Sequence, residues 1–283
     1  MPSLTRRRFL QVSAGALGAV ATAGVYARCI ELHWLETVRR PLAIERLPDA
    51  LVGKTLLQIS DLHIGRRVSD SYLARVFERA NELKPDLVAF TGDFVSWYPP
   101  AFGKMRRLFE HTPRGRIATL GILGNHDYGR NWSHPEIAEQ VVATATSFGV
   151  QILRNEVRQI EGLQVLGLDD LWAHRFAPES AVGTLDPSRA MLALSHNPDT
   201  ADLPRWGGFR GWILAGHTHG GQVRPLPFLP PPILPVVNKR YSAGAFECAD
   251  GRRMYVSRGV GHLTPVRFNV RPEITLFTLV RAA

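Results

Sequence analysis

The sequence predicts an α/β domain, because short apolar runs alternate with amphipathic segments and most of the runs end in a polar or glycine cluster. Nine runs rich in Val, Ile, Leu or Phe read as strands: 55–60, 86–91, 117–123, 150–154, 164–168, 191–194, 211–215, 254–257 and 274–279. After Asp70, which can cap a helix, Leu73, Val76, Phe77, Ala80 and Leu83 fall at helical spacing until Pro85 stops the run. That apolar face belongs in the core. A second helix is expected from Pro135 to Phe148, with Pro135 in its first turn and Gly149 just past its end. Residues 225–235 are proline-rich and apolar and read as an extended loop.

A chain of 283 residues can bury a full core, and the simplest division is a leader over 1–27, a connecting segment over 28–54 and one domain over 55–283. A hydrophobic fraction of 45% and a charged fraction of 21% exclude disordered and collagen-like classes. The formal charge is +9; Arg6, Arg7 and Arg8 carry three of those charges, which leaves +6 on the rest. This balance suits an anionic partner without naming one. No basic helix or aromatic-interleaved stripe accompanies it, so a specific nucleic-acid role is not expected. Two cysteines, Cys29 and Cys248, are too few for a cysteine zinc site, so any metal must be held by His, Asp, Glu or Asn.

Thr5 to Gln11, with Arg6-Arg7-Arg8 at its centre, precedes a weakly apolar stretch from Val12 to Ala27 that contains no acid. This resembles a twin-arginine export signal. The expected location is therefore the periplasm, the cell wall or the outer face of the cytoplasmic membrane, with the leader either cleaved after a small residue or kept as an anchor.

Five polar clusters follow predicted strands: Asp61-Leu62-His63, Gly92-Asp93, Gly124-Asn125-His126-Asp127, Ser195-His196-Asn197 and Gly216-His217-Thr218-His219. In an open α/β sheet the carboxyl ends of the strands are where ligands collect. Asp61 to Asp93 and Asp93 to Asn125 are each 32 residues apart, the length of one strand–helix–strand unit, so neighbouring strands can present these groups side by side. Each cluster alone is a weak signal, and a lone histidine such as His196 is more often structural than a ligand. Five in order are not.

That ordered set resembles the calcineurin-like metallophosphoesterase superfamily, over nearly all of residues 55–220. The resemblance implies a layered β-sandwich flanked by helices, in a single domain. It assigns Asp61, His63 and His219 to one metal, Asn125, His196 and His217 to a second, and Asp93 to both. Two divalent transition-metal ions are implied, Mn, Fe or Zn, since imidazoles suit these over Mg or Ca. With two carboxylates against two dications the site stays net positive, which welcomes a phosphate ester, and a metal-activated hydroxide then attacks phosphorus in line. The resemblance makes His126 the catalytic residue that protonates the leaving oxygen or stabilises phosphoryl charge. Asp127 is expected to orient His126 or a nearby loop, and Asp169-Asp170 to make structural hydrogen bonds.

The leader, the 124–129 and 216–223 motifs and Tyr255 to Gly259 are similar to those of exported or membrane-associated bacterial phosphodiesterases of that superfamily. The expected activity is hydrolysis of an envelope or lipid-linked phosphate ester, with the apolar loop around Phe228, Leu229, Ile233 and Leu234 as a membrane contact or as packing over a sheet edge. A UDP-diacylglucosamine-type pyrophosphatase and a phosphomonoesterase remain open alternatives. A metal-free scaffold with the same fold would show broken ligand positions, and none is broken.

Overall fold

The computed structural model describes residues 5–96, 101–226 and 228–282. Pro227 of the proline-rich stretch, the first four residues of the leader and the last residue of the domain lie outside the described residues.

The elements in chain order are helix α1 (Arg6–Val25), strands β1 (Glu36–Ile44) and β2 (Thr55–Ile59), α2 (Asp70–Glu82), β3 (Leu87–Thr91), α3 (Phe102–Phe109), β4 (Ala118–Ile122), α4 (Pro135–Ser147), β5 (Gln151–Ile152), β6 (Glu156–Ile160), β7 (Leu163–Gly167), α5 (Glu179–Val182), β8 (Met191–Leu194), β9 (Trp212–Ala215), β10 (Gly244–Glu247), β11 (Arg253–Val256) and β12 (Glu273–Arg281). All nine expected strands are present, most of them a residue or more shorter at one end than the sequence suggests. The twelve strands of the described residues form two six-stranded sheets, ordered β1-β12-β2-β3-β4-β5 and β10-β11-β9-β8-β7-β6. Strands β2 to β5 are parallel in the first sheet, and β7, β8, β9 and β11 are parallel in the second.

Period-two alternation builds three layers of core from these sheets. Leu56, Leu87, Ala89, Leu120 and Ile122 point between the sheets and meet Val165, Leu192, Leu194 and Leu214. Leu57, Ile59, Val88 and Phe90 point outward under α2, α3 and α4. Ala193, Ile213 and Val256 face the opposite outer layer with Trp206 and Phe209. Helix α2 buries Tyr72, Leu73, Val76, Phe77 and Ala80, and its larger apolar side chains are each worth about 1.5–3 kcal/mol of burial. Its cap is Ser69, one residue before the expected Asp70: the Ser69 hydroxyl accepts from Tyr72 N at 3.4 Å.

The segment read as a connection, 28–54, supplies β1, which pairs in parallel with β12 from the far end of the chain. Upstream, the helical run Arg6–His33 is long and apolar enough to cross a membrane, and residues 6–25 are not buried. Its end is docked: Ala27 is buried with its carbonyl accepting from Arg267 N, and the buried Glu31 carboxylate accepts from Asn269 N and Val270 N. Cys29 is exposed, Cys248 is buried, and both are free.

Candidate metal centre

Strands β2, β3 and β4 of one sheet and β8 and β9 of the other end on the same rim, and their following loops carry all five polar clusters. Beneath the rim the buried Gln58 amide ties the sheets together, donating to Thr91 Oγ1 at 3.0 Å and to Ala215 O at 2.9 Å. The loops turn abruptly there. Asp61, His63, Asp93, His217 and His219 all adopt left-handed backbone, with φ between 48° and 72°, a conformation costly for such side chains unless the surroundings impose it. Gly92 has φ 91°, and a Cβ on it would lie 2.6 Å from His196 Nδ1, so glycine is required for that histidine to approach.

The structure brings the sequence-predicted residues into two adjoining groups. Asp61, His63 and His219 form one and Asp93, His196 and His217 the other; in each, one ligand atom per residue lies within 4.8 Å of the rest. Asn125 joins the second, its Oδ1 3.0 Å from His217 Nδ1. Asp93 Oδ2 stands between the groups, 3.5 Å from His63 Nε2 and 3.3 Å from His196 Nε2, while its Oδ1 accepts from His126 N. His126 is buried beside them, its ring edge-on to His63 at 5.0 Å. All eight residues are almost wholly shielded from solvent.

The donor set fits cations. His196 Nδ1 is 2.7 Å from Thr91 O and His217 Nε2 is 2.8 Å from Pro235 O; each donates a proton outward and turns its other nitrogen into the site. His217 Nδ1 therefore faces Asn125 Oδ1, acceptor to acceptor, and the Nε2 atoms of His63 and His219 converge to 3.0 Å. His63 Nδ1, Asn125 Nδ2 and His126 Nδ1 are buried without a hydrogen-bond partner among the described residues. Polar atoms left in this state are costly unless another group satisfies them.

Charges follow the burial. Burial holds the His63, His126 and His219 rings below their usual range and takes His217 down to about 3, so these rings are neutral and able to ligate. Burial pushes Asp61 up to about 6. Asp93 is held well below the usual carboxylate range: burial opposes its charge, but His196, His126 and His63 outweigh it. Its carboxylate in turn raises His196, against burial.

Asp127 orients loops, as one of its two expected roles had it: it accepts from Val95 N at 3.0 Å and Gly124 N at 2.9 Å, joining the chain after β3 to the chain after β4. Asp169 takes bonds from Tyr128 and Arg154, and Asp170 from Ala173 N. Two further neighbours carry no motif. Trp172 stands edge-on to His217 at 4.4 Å. Arg267, fully buried, donates to the carbonyls of Arg258, Gly259, Gly261 and Val270, with Nη2 3.5 Å from His219 Nδ1.

The family model described as calcineurin-like phosphoesterase matches residues 54–221. The chain belongs to this family. Two relatives similar along the whole chain are phosphodiesterase YaeI of Escherichia coli, 34% identical over 98% of this chain and 100% of its own, and the uncharacterized metallophosphoesterase YkuE of Bacillus subtilis, 33% identical over 99% of each. UDP-2,3-diacylglucosamine pyrophosphatase LpxG of Chlamydia muridarum is 26% identical over 89% of this chain and 91% of its own. As a calcineurin-like phosphoesterase the chain is a metal-dependent hydrolase of phosphoric esters, and its paired groups are candidate sites for divalent ions.

Proposed function

We propose that the chain is a two-metal phosphodiesterase of the bacterial envelope acting on a lipid-linked phosphate ester. The observation that carries the two-metal part is the position of Asp93 Oδ2 between His63 and His196, where one carboxylate faces both groups of ligands. In this reading Asp61, His63 and His219 hold one ion, Asn125, His196 and His217 the other, and Asp93 serves both. The imidazole-rich set favours Mn, Fe or Zn. Bound metal supplies Lewis acidity, acidifying the nucleophilic water and offsetting phosphoryl charge.

The chain's own groups do the rest. Thr91 O and Pro235 O fix the tautomers of His196 and His217, so those rings need no reorientation on loading. His126, its backbone tied to Asp93 and its ring edge-on to His63, donates its ring N–H to the leaving oxygen or to the phosphoryl oxygens, stabilising the charge that develops there. Burial of the whole set strengthens each of these interactions.

Similarity to a named phosphodiesterase supports the diester, and similarity to a diacylglucosamine pyrophosphatase supports a lipid-linked one. The arginine-led apolar helix supports export to the outer face of the membrane, which argues against a nucleotide-linked precursor as substrate. The docking of Ala27 and Glu31 into the domain supports retention of the leader as an anchor.

The test is elemental analysis of the purified full chain together with hydrolysis of bis-p-nitrophenyl phosphate and p-nitrophenyl phosphate before and after chelation. Two transition-metal ions per chain with chelator-sensitive diester hydrolysis is the expected result. Preference for the monoester would replace the diesterase reading, and no turnover after metal reconstitution would overturn the enzyme.

A further inference from the structure

A cavity of about 270 Å³ borders the candidate metal centre at one residue, His219, beside Thr218, and has Val223, Ile233, Leu263 and Val266 along its walls. Its lining is mostly apolar, unlike the centre it adjoins. Part of the wall belongs to the proline-rich loop, where Phe228 is 79% and Ile233 77% exposed while Leu234 is buried. An apolar patch of this kind, bordering a residue of the candidate centre, marks a surface for an apolar ligand or a bilayer.

The anchor helix meets the chain at the same place. Arg267, whose N–H bonds Ala27 O, directly follows the cavity residue Val266, and Phe268 packs edge-on against Tyr26 at 6.2 Å. Phe268 bridges to Val223, and Gln222 donates to Thr264 O and Val266 O. The base of the apolar helix and the cavity rim are therefore joined by hydrogen bonds. Where the helix enters a bilayer, the cavity mouth is held at its surface.

We propose that this cavity receives the hydrocarbon chain of a lipid phosphate ester, with the phosphate on the His219 side, while the anchor helix keeps the mouth at the membrane. The proposal rests on the phosphodiesterase reading above and adds to it a subsite that selects for chain length. Ordinary diesters without a long alkyl group then bind through the phosphate alone. Each methylene that enters the cavity tightens binding about threefold to fourfold, the usual gain for removing one from water.

The experiment uses the full chain in phosphatidylcholine nanodiscs, loaded with Mn, and p-nitrophenyl alkyl phosphates bearing methyl, butyl and octyl groups below their micelle-forming concentrations. The expected kcat/KM rises with chain length, by well over about tenfold from methyl to octyl, carried by KM. Ile233→Glu, at an exposed position that folding does not need, and Val223→Trp, which fills the cavity, both bring the octyl-to-methyl ratio toward one. Equal kcat/KM on all three esters overturns the cavity proposal and leaves the phosphodiesterase standing. A chain-length preference unchanged in both variants overturns it too, since partition into the bilayer then explains the preference. No turnover of any ester overturns both readings.

Discussion

Strands β2 and β3 have two very different ends. At their amino ends Asp86 is buried and fully satisfied: its Oδ2 accepts from Thr55 N at 2.8 Å and Thr55 Oγ1 at 3.0 Å, and its Oδ1 from Arg116 at 2.8 Å. At their carboxyl ends Asp61 and Asp93 sit in left-handed backbone among converging histidine nitrogens and orphaned polar atoms. Burial weighs on both ends, yet Asp86 is held below the usual carboxylate range by its donors whereas Asp61 is pushed up to about 6. The contrast teaches that this rigid sheet carries its stabilising polar contacts at one rim and keeps the other rim's strain and unspent ligand capacity for cations and substrate.

The largest effect that can break this contrast is expected from Asp93→Ala. Losing the carboxylate shared by both groups should remove metal from both and cut kcat/KM by about 10⁴ or more, read by elemental analysis beside diester hydrolysis. Retention of two ions per chain would show that Asp93 does not serve both. His126→Ala comes next: metal content should stay, while kcat falls about 10²- to 10⁴-fold, the range for a lost proton or hydrogen-bond donor at the reacting oxygens. A smaller effect falls on stability. Adding metal at about 100 times its dissociation constant should raise unfolding free energy by about 2.7 kcal/mol per ion, and Asp93→Ala should abolish that gain in a thermal melt.

Why the carboxyl rim was legible and its supports were not follows from the physics of each signal. The ligands sit one after another behind apolar parallel strands, so residue type, order and strand end coincide in the sequence. Strand β1 carries Pro41 and an exposed middle, the pattern of a pairing set by a distant partner, and that partner is β12, over 200 residues away. Strand β6 is a mostly exposed edge strand returning through Glu161-Gly162, both at positive φ, and β10 is likewise an edge. Helix α3 has eight residues, too short for its Met105, Leu108 and Phe109 spacing to stand out. Arg267 speaks mainly to backbone carbonyls, which no residue pattern encodes. The cap shift from Asp70 to Ser69 is a choice between adjacent residues of equal capping chemistry.

The amino rim offers the smallest and sharpest test. Replacing Asp86 by Asn keeps the shape but removes charge-assisted bonds to Thr55 and Arg116, at a cost of about 1–2 kcal/mol in urea unfolding at neutral pH. Because the folded carboxyl is held below its unfolded value, its contribution is complete above the unfolded pKa of about 3.9 and is lost as pH falls through the depressed folded value. The gap between the two proteins should therefore be constant from about pH 5 to 8 and close progressively below about pH 4. Diester turnover per folded molecule should not change, since Asp86 lies at the opposite end of β3 from Asp93. A gap that persisted at low pH would assign the loss to shape instead of charge, and an accompanying fall in kcat would mean that the two rims are coupled through the strands.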